Sequence, residues 1–269
     1  MNMKKTVSII AAGLLSVVML SGCGEISGKP INSADDLPGA TIGVQLGTTG
    51  DRYVTDLERR PENGQPASRI ARYDSGADAV TALKLGKVDC IIIDSEPAKV
   101  YVEKNDDLKI LPEPFANEEY AIAIKKGNTE LVNKINAALD ELEEDGTLKK
   151  ILDNYIGDSK GGFNYESPAD VNRSNGKLIM ATNAAFPPYE VIKNGTIVGI
   201  DPDIMQAVCD KLGMELVIED MKFESIIAAV QSGKADVGVA GMTVDEDRLK
   251  NVDFSNPYAN SKQVIIVKK

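Results

Sequence analysis

The sequence predicts an α/β protein built as two lobes of similar plan. Three observations carry that prediction. Strand-like and helix-like segments alternate along most of the 269 residues with short connections between them, the pattern of mostly parallel sheets flanked by helices. The segment 82–89 (ALKLGKVD) is echoed at 229–236 (AVQSGKAD), each with Gly where a helix ends and an apolar strand follows. A stretch without periodicity, 157–176 (GDSKGGFNYESPADVNRSNG), separates the two runs and reads as a linker. The length accommodates two lobes of roughly 100–150 residues each.

In order, 40–46 (ATIGVQL) reads as a buried strand, 49–58 as a helix, 69–73 as a strand and 77–85 as a helix. The apolar run 89–93 (DCIII) is a strand, followed by a helix near 98–103 and short strands at 108–111 and 120–124 (YAIAI). Leu131, Ile135, Leu139 and Leu142 recur at helical spacing behind Asn128, a suitable N-cap. Gly146 interrupts that helix, and a second one carries Leu148, Ile151, Leu152 and Tyr155. Beyond the linker come a strand at 178–182, a hairpin turning at Asn194-Gly195, a helix at 203–212, a strand at 216–218, a helix at 224–232 and a strand at 236–240. The last nine residues, SKQVIIVKK, hold four consecutive apolar residues, Val264 to Val267, and read as a buried strand.

Composition narrows the function. A formal charge of −11 argues against nucleic acid, where Lys and Arg must neutralise phosphates. Histidine is absent, which removes the commonest general base and metal ligand. No cofactor and no metal are expected. Cys90 and Cys209 lie far apart in apolar contexts and read as buried free thiols. At the start, Lys4 and Lys5 precede an apolar run from Thr6 to Leu20, the pattern of a secretory signal. Leu20-Ser21-Gly22-Cys23-Gly24 resembles a bacterial lipobox. Residues 1–22 are therefore expected to be a lipoprotein signal peptide, Cys23 the lipid-modified residue, and 23–34 a tether holding the protein to the bacterial cell membrane.

The motifs ATNAAFPPYE (181–190), VGIDPDI, FESIIAAVQSGKADVGVAGMTVDEDR, VDFSNPY and QVIIVKK resemble the first half of polar amino acid-binding proteins, the family 3 solute receptors of ATP-driven importers. ATIGVQLGTTGD, GKVDCIIID, YAIAIKKGN and the helices up to Ile156 resemble the second half. The resemblance implies a periplasmic-binding-protein-like (type II) fold with a hinge. The halves stand in the reverse of the family's order, so the chain reads as a circular permutant. Residues 35–117 are then lobe 2, 118–156 a hinge strand and helices packing on lobe 1, 157–176 the permutation linker, and 177–269 lobe 1 ending in a hinge strand. The terminal strand is expected beside 120–124 as a broken hinge crossing, with Lys269 and the tether both near the hinge.

An amino acid zwitterion needs both charges satisfied when water is excluded. The resemblance assigns its carboxylate to Arg248, in the run from Thr243 to Arg248, with help from the Thr243 hydroxyl. Thr49 and Gly50 sit at a strand-to-helix turn whose free N–H groups favour an anion. Asp94 follows the buried strand CIII, at the end where α/β proteins bind ligands, and is the candidate for the ammonium, with the Gly241 carbonyl. Phe186 and Phe223 are candidate walls for the side chain. Asn183 stands at the family position that often reads the ligand's distal group; unlike Asp it does not demand a cationic ligand, so it weakly favours a neutral polar amino acid without excluding a basic one.

The expected function is an extracytoplasmic receptor, a monomer and not an enzyme, delivering a polar amino acid to an importer permease. The alternatives are a lipoprotein sensor passing a signal to a partner, and a dehydratase or lyase on the same fold, for which Glu190 is the available acid or base.

Overall fold

A computed structural model of the protein describes residues 28–59, 64–157 and 159–269. The signal segment and residues 23–27 of the tether, Cys23 among them, fall outside the described residues. The elements are β1 (Thr41–Gln45), α1 (Thr49–Arg59), β2 (Arg69–Tyr73), α2 (Gly76–Lys84), β3 (Cys90–Asp94), α3 (Ser95–Glu103), β4 (Leu108–Ile110), β5 (Ala116–Tyr120) and β6 (Ala123–Lys125). Then come α4 (Thr129–Glu144), α5 (Thr147–Tyr155), β7 (Lys177–Thr182), β8 (Ala185–Phe186), β9 (Glu190–Lys193), β10 (Thr196–Val198), α6 (Ile200–Leu212) and β11 (Glu215–Asp220). The last are α7 (Ile226–Ser232), β12 (Val237–Gly238), α8 (Glu246–Leu249), β13 (Val252–Phe254) and β14 (Ala259–Lys268).

Two large sheets result, one per lobe. In lobe 2 the order is β2-β1-β3-β14-β4, with β5 pairing β14; in lobe 1 it is β11-β7-β12-β6-β13. A small sheet, β10-β9-β8, extends lobe 1, and its hairpin turns at Asn194 and Gly195, both at positive φ, as a two-residue hairpin requires. Lobe 1's main core joins α4 (Ile135, Leu139, Leu142), α6 (Ile204, Val208) and the inner face of its sheet (Ile124, Met180, Val237). The Asn128 side chain accepts from Leu131 N at 3.2 Å and caps α4. Between α5 and β7 the described residues form no helix or strand. They lie along lobe 1 instead, where Tyr165 OH and Arg173 bind Asp210 of α6 and Phe163 N donates to Asn154 Oδ1 of α5.

The internal echo has a physical basis. Gly86 and Gly233 both take positive φ where α2 and α7 end. Three residues on, Asp89 Oδ2 accepts from Thr41 N and Asp236 Oδ2 from Ile179 N, each at 2.7 Å. The same two aspartates donate their own N–H to Thr41 O and Ile179 O. Each joint thus locks an incoming strand to its parallel neighbour with a main-chain and a side-chain bond.

The hinge differs from the expectation. YAIAI is not one strand: Tyr120 ends β5, Ala123 begins β6, and residues 121–122 carry the chain between lobes, with Ala121 N bonded to Met242 O and Ile122 N to Ser255 Oγ. The terminal run does not lie beside them. Only the start of β14 pairs there, Ala259 opposite Tyr120 and Gln263 opposite Ala116. Val264, Ile265 and Ile266 stand opposite Ile93, Ile92 and Ile91 inside the lobe 2 sheet. Four consecutive apolar residues need both faces covered, which a sheet flanked by helices supplies and a hinge does not. Residues 264–268 therefore belong to lobe 2, and both crossings, 121–122 and 255–258, are continuous. Lys269 N donates to Asp107 O, and Val267, Lys268 and Lys269 line one surface cleft with Gly28 to Asn32. That meeting lies at the far end of β14, roughly 30 Å from its hinge end at ~3.3 Å per residue, so the described end of the tether leaves from lobe 2 away from the hinge.

Candidate functional site

The site forms where the C-terminal ends of strands in both lobes face one another. A narrow inner cavity of about 10 Å³ is lined by Gln45, Thr48, Thr49, Asp94, Asn183, Phe186, Phe223, Ala240 and Gly241. Six of the residues named from sequence thus converge on it, from both lobes. Arg248 and Thr243 adjoin it through Thr49. Gly50 lies behind it: a Cβ there would come within 3.0 Å of Gln263 Oε1 and Ile92 O, so glycine lets the first turn of α1 press onto β3 and β14.

Arg248 is held by α8, whose N-cap Asp245 accepts from Asp247 N and Arg248 N. Arg248 is 2% exposed. Nη1 donates to Thr243 O at 2.8 Å and to Thr49 Oγ1 at 3.2 Å, Nη2 to Gly47 O at 3.2 Å, and Nε lies 3.4 Å from Asp245 Oδ2. Cζ stands 5.5 Å from the centroid of the Phe223 ring, a cation–π geometry. Phe223 is therefore partner to the guanidinium as well as cavity wall. Phe186 stacks on Tyr189 at 5.6 Å, and its Cε1 would be 2.7 Å from a Cβ at Gly241, which also has φ +53. Gly241 N donates to Asp201 Oδ2 at 2.9 Å, which fixes the loop that carries Thr243.

Asp94 ends β3 and is 5% exposed. It accepts from Tyr120 OH, and burial raises its carboxyl above the ordinary range. Asn183 is fixed by two bonds, Oδ1 accepting from Gln45 Nε2 across the cleft and Nδ2 donating to Met221 O, each 2.9 Å. The lobes touch elsewhere too: Thr49 Oγ1 donates to Thr243 Oγ1 at 2.8 Å, Arg52 pairs with Asp245 and Asp247 of lobe 1, and Lys222 with Asp74 of lobe 2.

Glu190 is not at the cleft. It is fully buried, both carboxyl oxygens lack a hydrogen-bond partner among the described residues, and burial together with Asp201 pushes it well above the usual carboxylate range. Cys90 and Cys209 are buried free thiols, both pushed up to about 12 by burial, which leaves them inert. Among the described residues no group of three or more His, Cys, Asp or Glu could hold a metal ion, and no helix is long and apolar enough to cross a membrane.

Sequence reasoning missed Glu118, Gln45 and Gln263. Glu118 is 5% exposed and Gln263 fully buried; Glu118 Oε2 accepts from Thr243 Oγ1 at 3.0 Å and Gln263 Nε2 at 3.1 Å. Strand alternation was the available signal for Glu118, which shares a face of β5 with Tyr120.

Residues 70–158 and 178–269 match the family described as bacterial extracellular solute-binding proteins, family 3. Among curated proteins, the arginine-binding extracellular protein ArtP of Bacillus subtilis is 40% identical over 35% of this chain and 36% of its own length. The L-cystine-binding protein TcyJ of Escherichia coli is 33% identical over 47% and 46%. The chain thus spans between a third and a half of the length of these relatives. Of solved structures, the arginine-bound domain 1 of TmArgBP is 38% identical over 36% of this chain and 82% of that one, with a TM-score of 0.31. The ligand-binding component of an ABC-type import system from Staphylococcus aureus is 13% identical over 85% and 65%, with a TM-score of 0.44. With its two matched segments flanking the linker, the chain belongs to the bacterial extracellular solute-binding proteins, family 3.

Proposed function

We propose that the protein is an extracytoplasmic receptor, anchored to the membrane through Cys23, that captures a polar amino acid between its lobes and delivers it to the permease of an ABC importer. The observation that carries this reading is the pairing of charges across one cleft. A guanidinium from lobe 1 and a carboxylate from lobe 2 are both almost fully buried and share Thr49 as neighbour. That is the complement of a zwitterion. Arg248 takes the ligand's carboxylate, aided by Thr243, Thr49 and the first-turn N–H groups of α1. Asp94, with the Gly241 carbonyl, takes the ammonium. Phe186 and Phe223 flank the side chain, and Asn183, held by Gln45, faces its distal group, which favours a neutral polar amino acid. Because each lobe supplies part of the site, ligand favours the closed arrangement through contacts made only there.

The buried position of Glu190 weighs against the lyase-like alternative. The receptor is proposed to act as a monomer. The order of its segments is proposed to be a circular permutation, supported by the meeting of Lys269 with Gly28 to Asn32 and by a linker, 157–176, that stays on lobe 1. Calorimetric titration against the twenty amino acids tests the function. Binding by one or a few polar members, lost in Arg248→Ala, is expected; no binding by any of them contradicts it.

A further inference from the structure

The acid that sequence reasoning missed changes the chemistry of the ammonium site. The register of β14 places Gln263 opposite Asp94 of β3 on one side and opposite Ala116 of β5 on the other, with Glu118 opposite Ser261. Gln263 Nε2 reaches back to donate to Glu118 Oε2 at 3.1 Å, so both acids adjoin Gln263, Asp94 by strand pairing and Glu118 by its side chain. Asp94 lines the inner cavity, Glu118 lines an open outer cleft of about 690 Å³, and Thr49 lines both.

Three hydroxyl-mediated bonds run in one direction: Arg248 Nη1 to Thr49 Oγ1, Thr49 Oγ1 to Thr243 Oγ1, and Thr243 Oγ1 to Glu118 Oε2. They leave Glu118 Oε1 buried and without a partner among the described residues. A carboxylate oxygen in that state is costly. It is the natural place for a proton, or for an N–H donor brought by a ligand.

We propose that Asp94 and Glu118 form a two-carboxylate ammonium site that holds one shared proton, and that the ligand's ammonium expels this proton to solvent through the outer cleft. The inference rests on the receptor reading above. The charges around the pair support it. Glu118 is pushed up to about 8, first by burial and then by the Asp94 charge. The other titratable groups near the two acids are Tyr120, Tyr53, Tyr189, Glu190 and Arg248, and Arg52, Asp56, Glu119, Asp245, Glu246 and Asp247 line the outer cleft beside Glu118. Arg248 and Arg52 are the cations in that set; the N–H groups of Arg248 are directed at Thr49, Thr243 and Gly47, and Arg52 is paired with Asp245 and Asp247. Two buried carboxylates without a cation between them do not both ionise. An ammonium supplies the missing charge and up to three donors, so the proton becomes dispensable. It passes to the buffer, and no other bond changes.

The test uses the amino acid that gives the strongest heat in a panel of the twenty plus cystine. Titrations at pH 7 in phosphate and in Tris, whose ionisation heats differ, count the protons exchanged. The wild-type protein is expected to release about one, and its affinity to rise about tenfold per pH unit from 6 to 8. Glu118→Gln can keep both accepted bonds and offers Asp94 a permanent donor; it is expected to release none and to lose the pH slope. Equal release by Glu118→Gln, or no release and a flat profile in the wild type, overturns the proposal while leaving amino acid binding intact. No heat from any panel member overturns the receptor reading and this inference with it. Should the variant not fold, the wild-type proton count and slope decide alone.

Discussion

Lobe 1 meets the cleft with a buried guanidinium and two aromatic rings, whereas lobe 2 meets it with two carboxylates and a threonine. Behind those surfaces the lobes are built alike. Asp89 and Asp236 make the same paired bonds to the neighbouring strand at the entrance of β3 and of β12. The chemistry diverges at the other end of the same strands, where Asp94 follows CIII and the loop from Gly241 to Thr243 follows β12. One strand end serves the scaffold and the other lies at the cleft. On the proposed reading neither lobe alone satisfies a zwitterion, and the charge difference between them would make closure depend on ligand.

Removing lobe 1's charge breaks this asymmetry most severely. Arg248→Ala is expected to weaken amino acid binding at least 100-fold, about 2.7 kcal/mol or more, read by calorimetry. Arg248→Lys, which keeps the charge but loses the fork, should recover only part of it. On the lobe 2 side, Asp94→Asn is expected to cost about 10- to 100-fold, because Glu118 remains to balance the ammonium. A loss equal to that of Arg248→Ala would mean that the acids do not share the load.

The third change concerns stability rather than binding. Glu118 in the folded protein titrates near 8, above its ordinary value of 4.5. Its contribution is therefore fully present below about 4.5 and lost as pH rises through 8. Asp201, raised to about 6 mainly by burial, acts in the same sense at lower pH. The melting temperature of ligand-free protein should fall from pH 5 to 8, and less steeply in Glu118→Gln. A parallel fall in both proteins would show that Glu118 does not titrate in this window.

The smallest effect is expected from reordering the chain. Joining Lys269 to Ile31 through a short link and opening the segment 157–176 leaves both lobes, both crossings and every site residue in place. Affinity should stay within about twofold, because surface connections tolerate such changes. A large loss would mean that the linker contributes to the site.

Much of this was legible in the sequence. Helices and strands with strong periodicity fell where the pattern put them, α4 with its Asn128 cap among them. Arg248, Thr49, Thr243, Asp94, Asn183, Gly241 and the two phenylalanines stand around one cleft because each ends or follows a strand or lies in the first turn of a helix there. What was illegible depended on which strands pair. VIIV is equally apolar at a hinge or inside a sheet, and only its register with β3 places it in lobe 2. Glu118 looks like one of two adjacent surface acids, Glu118 and Glu119, until β14 is seen to cover it. Gln263 reads as the polar edge of an apolar run until it is found between Asp94 and Glu118.

On the proposed reading the cleft recognises both charges of an amino acid, one from each lobe. The most direct measurement is titration of the purified protein with its best amino acid, with the matching amine that lacks the carboxylate, and with the matching acid that lacks the ammonium. The amino acid is expected to bind with a dissociation constant on the order of micromolar, about −8.2 kcal/mol, and both truncated compounds at least 100-fold more weakly. Equal binding by either truncated compound would contradict it.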